Sequence, residues 1–156
     1  MVVHNPSNIV ETGAVTGEGF KIQQNGIDLT VRSIEKIKGQ AGRLMETGDS
    51  NPSSTIPIPV EDGLYTLNRG NAYSVITNQK VKVPGNMCAM ILQRSTLNRM
   101  GVFAQAGLYD SGFDNYIGFT LYAFNKVQIE EGARVAQIVF LDADATKQYN
   151  GKYQAQ

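Results

Sequence analysis

The stretch QRSTLNRMGVFAQAGLYDSGF, residues 93–113, lies between two apolar runs, 87–92 and 116–124. It carries a cluster of arginines and hydroxyls (Arg94, Ser95, Thr96, Arg99) and one carboxylate (Asp110) among many small and polar residues. A segment that only linked two strands has no need of that chemistry. It reads as an anion clamp, then a short helical turn over 95–100, then a hairpin bracketed by Gly107 and Gly112. The Ser95 hydroxyl is the expected helix cap.

On both sides of it the chain reads as short strands. Ile27, Leu29 and Val31 alternate with Asp28, Thr30 and Arg32, directly after the turn signal Asn25-Gly26. Further strands are expected at 64–67, 72–76, 81–83, 87–92, 116–124, 127–129 and 134–141, bounded by turns such as Asn68-Arg69-Gly70 and Pro84-Gly85-Asn86. In the last of them Val135, Gln137 and Val139 share one face, and Ala136, Ile138 and Phe140 the other. Residues 39–54 read as a polar surface loop, and the prolines within 52–59 restrict that segment to extended or edge structure. Residues 1–17 hold at most a helical turn at 6–11. Many short strands with one short helix predict an all-β barrel or sandwich. A single domain spans 1–156, and its polar 142–156 reads as a flexible C-terminal tail.

Composition narrows the chemistry. A chain of 156 residues can bury one core without disulfides or metal. Its 14 basic and 14 acidic residues cancel. Any bound anion is therefore small and held by a local cluster, and no nucleic-acid partner is expected. No run approaches the ~18 apolar residues of a membrane span, and MVVHNPSNIVETG has neither region of a signal peptide, so no membrane partner is expected. Cytoplasm is the expected compartment, or host cytoplasm for a viral protein. One cysteine (Cys88) and one histidine (His4) exclude an internal disulfide and the usual zinc sites, and with them a zinc-dependent nucleoside deaminase. Cys88, in MCAMIL, is expected in the core and His4 on the surface.

Arg94 offers a planar fork for phosphate and Ser95 a hydroxyl, in charge-assisted bonds that contribute roughly 1.5–3 kcal/mol each. Arg99, five residues on, points to another side of a short helix, toward a phosphate or a neighbouring chain. Gly107 and Gly112 let backbone approach a ligand closely enough to read a planar base edge. Asp110 can orient and deprotonate a water, because a free carboxylate is ionised at neutral pH. Phe113 offers an apolar plate for a sugar ring. Each residue also has a plainer reading: solvated arginines, a turn aspartate, a core aromatic.

Taken in order, NGIDL (25–29), QRSTLNRMGV (93–102), AGLYDSGF (106–113) and GARVAQIVF (132–140) resemble the motifs of the dUTPase and dCTP deaminase superfamily over about residues 25–156. RSTLNRMGV and the closing GKYQ (151–154) resemble its archaeal, deaminase-like branch. The glycine-rich C-terminal motif of most dUTPases is absent. The resemblance implies a jelly-roll-like β-barrel homotrimer with active sites at subunit interfaces, dUTP as substrate and Mg²⁺ as cofactor. It implies that Asp110 activates the attacking water and that Arg94, Ser95 and Gln137 hold the triphosphate. Arg99 would match a second arginine of the deaminase-like branch. Asp28 would support Mg²⁺ indirectly, through water, and Phe113 would replace the aromatic that screens out ribose. Gly107 and Leu108 would read the base, with Gln105 at a base edge. Lys152, Tyr153 and Gln156 would belong to a tail closing over the triphosphate.

The choice of reaction rests on one position. Family deaminases carry a glutamate in a strand reading like TLEL before an asparagine, and it shuttles protons at the cytosine amine. Here the segment is TLYAFN (120–125), with Tyr122 at that position. An ordinary phenol stays protonated at neutral pH and cannot be that base. dUTP hydrolysis to dUMP and pyrophosphate is the expected activity. A dCTP deaminase or bifunctional deaminase-pyrophosphatase, and a non-catalytic dUTP-binding regulator, are the alternatives. Two departures from the family bear on base preference: Gln93 stands where many dUTPases have proline, and the segment 112–125 is longer than usual.

Overall fold

The computed structural model describes residues 2–155. Asn5 accepts the Ser7 amide at 2.9 Å and Pro6 opens the first turn, which fixes α1 (Pro6–Glu11). Then come β1 (Val15–Thr16), β2 (Lys21–Ile22) and the long β3 (Ile27–Ile37). The expected loop at 39–54 contains a small hairpin, β4 (Arg43–Leu44) and β5 (Ser50–Asn51). After β6 (Thr55–Pro57), β7 (Val60–Glu61) and β8 (Leu64–Leu67) comes β9 (Asn71–Lys82). The central stretch holds the end of β10 (Met87–Gln93), α2 (Ser95–Arg99) and β11 (Val102–Gln105). The chain closes with β12 (Asp114–Ala123), β13 (Val127–Glu130) and β14 (Arg134–Asp142).

Two short helices thus stand where one was expected. The cap of α2 also differs: Arg94, in extended conformation, is the N-cap, and Ser95 is already the first helical residue. The principal sheet runs β10-β14-β3-β9-β12-β11, with β1, β2 and β6 attached to its longer strands. Its two ends approach each other, where Ala89 and Tyr109 exchange backbone hydrogen bonds of 2.9 Å in each direction. The result is a nearly closed β-barrel, in agreement with the all-β expectation. Ile27, Leu29, Val75, Leu121 and Ile138 lie in its core without solvent exposure. Among the described residues, no helix is long and apolar enough to cross a membrane.

β9 was expected as two strands because Thr77-Asn78-Gln79-Lys80 is polar. In the fold Thr77 and Gln79 are fully buried. The Gln79 side chain accepts the Thr30 amide at 2.8 Å and donates to the Glu18 carbonyl at 2.5 Å. Asn78 donates to the Val31 carbonyl at 2.9 Å. A polar run whose groups are satisfied by its neighbours stays in the sheet. Cys88 is half-buried rather than in the core; its neighbour Ala89 faces inward instead. His4 sits at the surface and contacts Asp142 at 2.5 Å.

Candidate active site

The expected site residues fall into two groups. The first is set by sheet register: Gln137 on β14 lies beside Asp28 on β3 and opposite Leu92 on β10, so the end of β10 delivers Arg94 to the same place. Asp28 is 1% exposed. Its Oδ2 accepts from Gln23 at 2.8 Å and from Arg134 Nη1 at 3.1 Å, and lies 3.4 Å from Arg94 Nε; Oδ1 accepts from Gln137 at 3.3 Å. Arg94 Nη1 donates to the Arg134 carbonyl at 3.1 Å. Two guanidinium groups thus share one carboxylate, leaving net positive charge at a half-buried place, the electrostatics of an anion seat. Gly26 permits this packing, since a Cβ there would lie 2.7 Å from Gln137 Cγ.

Arg134 escaped the sequence reading, although it stands in the same motif as Gln137. Regular alternation puts residues 134 and 137 on opposite faces. A register shift between Arg134 and Ala136 breaks that alternation, so both side chains reach Asp28. Asp28, expected to support Mg²⁺ indirectly through water, is the counter-ion of Arg94 and Arg134 in this structure. Among the described residues, no cluster of three acidic, histidine or cysteine side chains could cage a metal. The donor set fits an ion carried on ligand phosphates, the habit of Mg²⁺, and not a protein cage.

The second group surrounds Asp110. Gly107, Leu108, Asp110 and Phe113 line a cavity of about 520 Å³, together with Thr120 of β12 and Tyr149 of the tail. Asp110 is exposed to solvent. Its carbonyl accepts the Phe113 amide at 3.0 Å, closing a tight turn whose third residue, Gly112, has φ +85°. Phe113 is buried between Tyr109, with ring centroids 5.2 Å apart, and Tyr149, at 5.7 Å. The Tyr109 hydroxyl donates to the Gly118 carbonyl at 2.7 Å, and burial pushes its phenol well above the ordinary range. Among the described residues, Asp110 is the single carboxylate lining this cavity.

The tail lies on this group. Tyr149 donates its amide to the Ser111 carbonyl at 2.7 Å. The Gln154 side chain accepts the Asp114 amide and donates to the Gly112 carbonyl, both at 2.9 Å. Tyr153 lines the Asp110 cavity, while Lys152 sits 3.4 Å from Ser50 Oγ. Tyr149 was not foreseen; its signal was an aromatic in an otherwise polar tail. Gln156 lies outside the described residues. Ser95 and Arg99 are exposed on α2, and Gln105, at the end of β11, pairs across with Thr120. Tyr122 shares the Thr120 face of β12 and packs on Phe124, with centroids 4.7 Å apart. Within the single chain, the Arg94 group and the Asp110 group share no hydrogen bond or ion pair among the described residues.

Comparison with known proteins gives three findings. A family model described as dCTP deaminase-like matches residues 8–143. A deoxyuridine 5'-triphosphate nucleotidohydrolase of Methanocaldococcus jannaschii is 33% identical over 155 residues, covering 90% of this chain and 96% of the relative. Among solved structures, a 2'-deoxycytidine 5'-triphosphate deaminase from Agrobacterium tumefaciens has a TM-score of 0.68 at 13% identity, over 88% of this chain. This chain spans only 46% of that deaminase. The native EIAV dUTPase has a TM-score of 0.58 at 16% identity, over 91% of this chain and 98% of its own. At these identities the two structures speak for the fold.

Proposed function

The chain belongs to the dCTP deaminase-like family, and on that footing we propose that it is a dUTP diphosphatase, releasing dUMP and pyrophosphate. The similarity to an archaeal dUTP nucleotidohydrolase along nearly the whole chain supports the substrate. The observation that carries the choice of reaction is the single carboxylate of the cavity. Water activation needs one base, whereas family deamination needs a second carboxylate that shuttles protons at the exocyclic amine. Its place in the motif is taken by Tyr122, a phenol that cannot be that base.

In this reading the base enters the hairpin at Gly107 and Leu108, with Gln105 at its edge, and the sugar packs on Phe113. Asp110 takes a proton from a water whose oxygen bonds to the α-phosphorus, while the bond from that phosphorus to the bridging oxygen breaks and pyrophosphate leaves. Arg94, Ser95, Arg99 and Gln137 steady the phosphates, and Arg134 joins them through the Asp28 carboxylate. Mg²⁺ on the phosphate oxygens would offset their charge. The resemblance to this family supports a homotrimer in which one subunit's arginines meet another subunit's Asp110. The docking of Tyr149 and Tyr153 at the cavity supports a tail that closes over bound nucleotide.

The test separates chemistry from binding. Asp110→Asn is expected to lower kcat by about 10²–10⁴-fold while binding an α,β-imido analogue of dUTP as the parent does. Equal loss of both would contradict the role given to Asp110.

A further inference from the structure

The barrel is open between its end strands, β10 and β11. Ser111 Oγ donates to the Met87 carbonyl at 2.5 Å at one end of that seam, and two further links cross it nearer the site. One is the backbone bridge between Ala89 and Tyr109. The other is a side chain: the Gln93 amide donates through Nε2 to the Val102 carbonyl and accepts the Ala104 amide at 3.0 Å through Oε1. Gln93 thus offers β11 one donor and one acceptor, as a neighbouring strand's peptide would. Between the two links the strands part around a groove of about 320 Å³, lined by Met90, Leu92, Gly107 and Leu108.

What the seam joins gives this link its meaning. β10 runs straight from Gln93 into Arg94 and Ser95, and β11 runs straight into Gln105, Gly107 and Asp110. We infer that Gln93 is a positioning residue, whose side-chain amide locks the arm carrying the phosphate arginine to the arm carrying the base hairpin and Asp110. The inference rests on the function proposed above only for its kinetic readout. It explains what a glutamine does where a proline, with no side-chain donor or acceptor, could not. In a trimer with shared sites the two arms serve two neighbouring sites, so loosening the seam displaces the phosphate clamp of one and the base hairpin of the other. Misplacing reacting groups by about 1 Å costs on the order of a hundredfold in rate.

A protonated carboxylic acid has one O–H donor and one acceptor oxygen, like the amide, whereas a carboxylate has no donor for the Val102 carbonyl. Charged groups on the elements beside Gln93 are Arg94 and Arg99 at α2, Arg134 on β14 and, at the far end of that strand, Asp142. The experiment compares wild type, Gln93→Glu and Gln93→Met from pH 8 down to about 4.5, taking the ratio of variant to wild-type kcat/KM at each pH. Gln93→Met is expected to fall about tenfold or more at every pH. Gln93→Glu is expected to match it at pH 8 and to recover several-fold toward wild type as the pH falls and its carboxyl protonates. A ratio for Gln93→Glu that stays flat with pH, or wild-type kinetics in Gln93→Met, would overturn the inference.

Hydrogen exchange at the Ala104 amide reads the lock without substrate, and is expected to be slow in wild type and faster in Gln93→Met. Fast exchange in wild type would overturn the inference by itself. Absence of dUTP turnover in a wild type that keeps Ala104 protected would instead defeat the functional proposal alone.

Discussion

At the scale of single residues, the chemistry concentrates at Asp28, Arg134 and Tyr109. Asp28 is 1% exposed and holds two arginines whose side chains are 25% and 35% exposed. Removing a partner from a buried pair costs several kcal/mol, and partial exposure of the arginines reduces that. Asp28→Ala is therefore expected to destabilise the fold by about 2 kcal/mol, as read by urea unfolding, and to weaken phosphate binding by freeing Arg94 from its place. Stability unchanged in the variant would contradict the counter-ion role. Tyr109 gives a pH dependence. Burial raises its phenol in the folded state above the ordinary value of 10.0, so its contribution is complete below that pH and is lost as the pH climbs past it. Tyr65 adds in the same direction, through burial and then Glu131. Tyr109→Phe is expected to cost about 1 kcal/mol at neutral pH and to flatten the loss of stability above pH 10, measured by denaturant melts; an unchanged alkaline limb would count against it. Sequence reading singled out Asp28, Arg94 and Gln137 because they sit in motif positions, and the fold brings them together. It missed Arg134 because strand alternation assigned it to the other face.

At the scale of elements, the strands around the barrel core were legible where apolar residues alternate, as at Ile27, Leu29 and Val31, or form a short continuous run, as within Arg134–Asp142. What escaped were the places where polar residues are buried with partners or where register slips. β9 was read as two strands because nothing local reveals that Gln79 is satisfied by Thr30 and Glu18 across the fold. α1 was given only the standing of a turn, since its cap depends on the geometry of Asn5. The tail shows the same limit: its composition is polar, yet backbone bonds from Tyr149 to Ser111 and from Ala155 to Asp114 lay it along the Asp110 turn. Gly112 is the hinge of that arrangement. At φ +85°, and with a would-be Cβ 2.8 Å from Gln148 Oε1, Gly112→Ala is expected to cost about 1–2 kcal/mol. It should also lift the tail, making 147–155 more susceptible to proteolysis. A variant as stable and as resistant as the parent would contradict this docking.

At the scale of the whole molecule, the proposed reaction requires an Arg94 and an Asp110 to act on one nucleotide. A trimer with shared sites gives a specific expectation. Mixing inactive Asp110→Asn with inactive Arg94→Ala, after dissociation and reassembly, should restore part of the activity, because some mixed sites combine an intact Asp110 with an intact Arg94. No recovery in mixtures that sedimentation proves to be mixed trimers would contradict sharing. The fold class was legible from strand spacing and motif order, whereas assembly was implied only by resemblance, because the surfaces that join subunits carry no local signature. The central claim is the reaction itself, and a product assay with Mg²⁺ tests it most directly, with dUTP, dCTP and dTTP offered separately and products resolved by chromatography. The expected result is dUMP and pyrophosphate from dUTP alone. Formation of dUTP or dUMP from dCTP would contradict the reading of Tyr122, and an inert dUTP sample would contradict the proposed function.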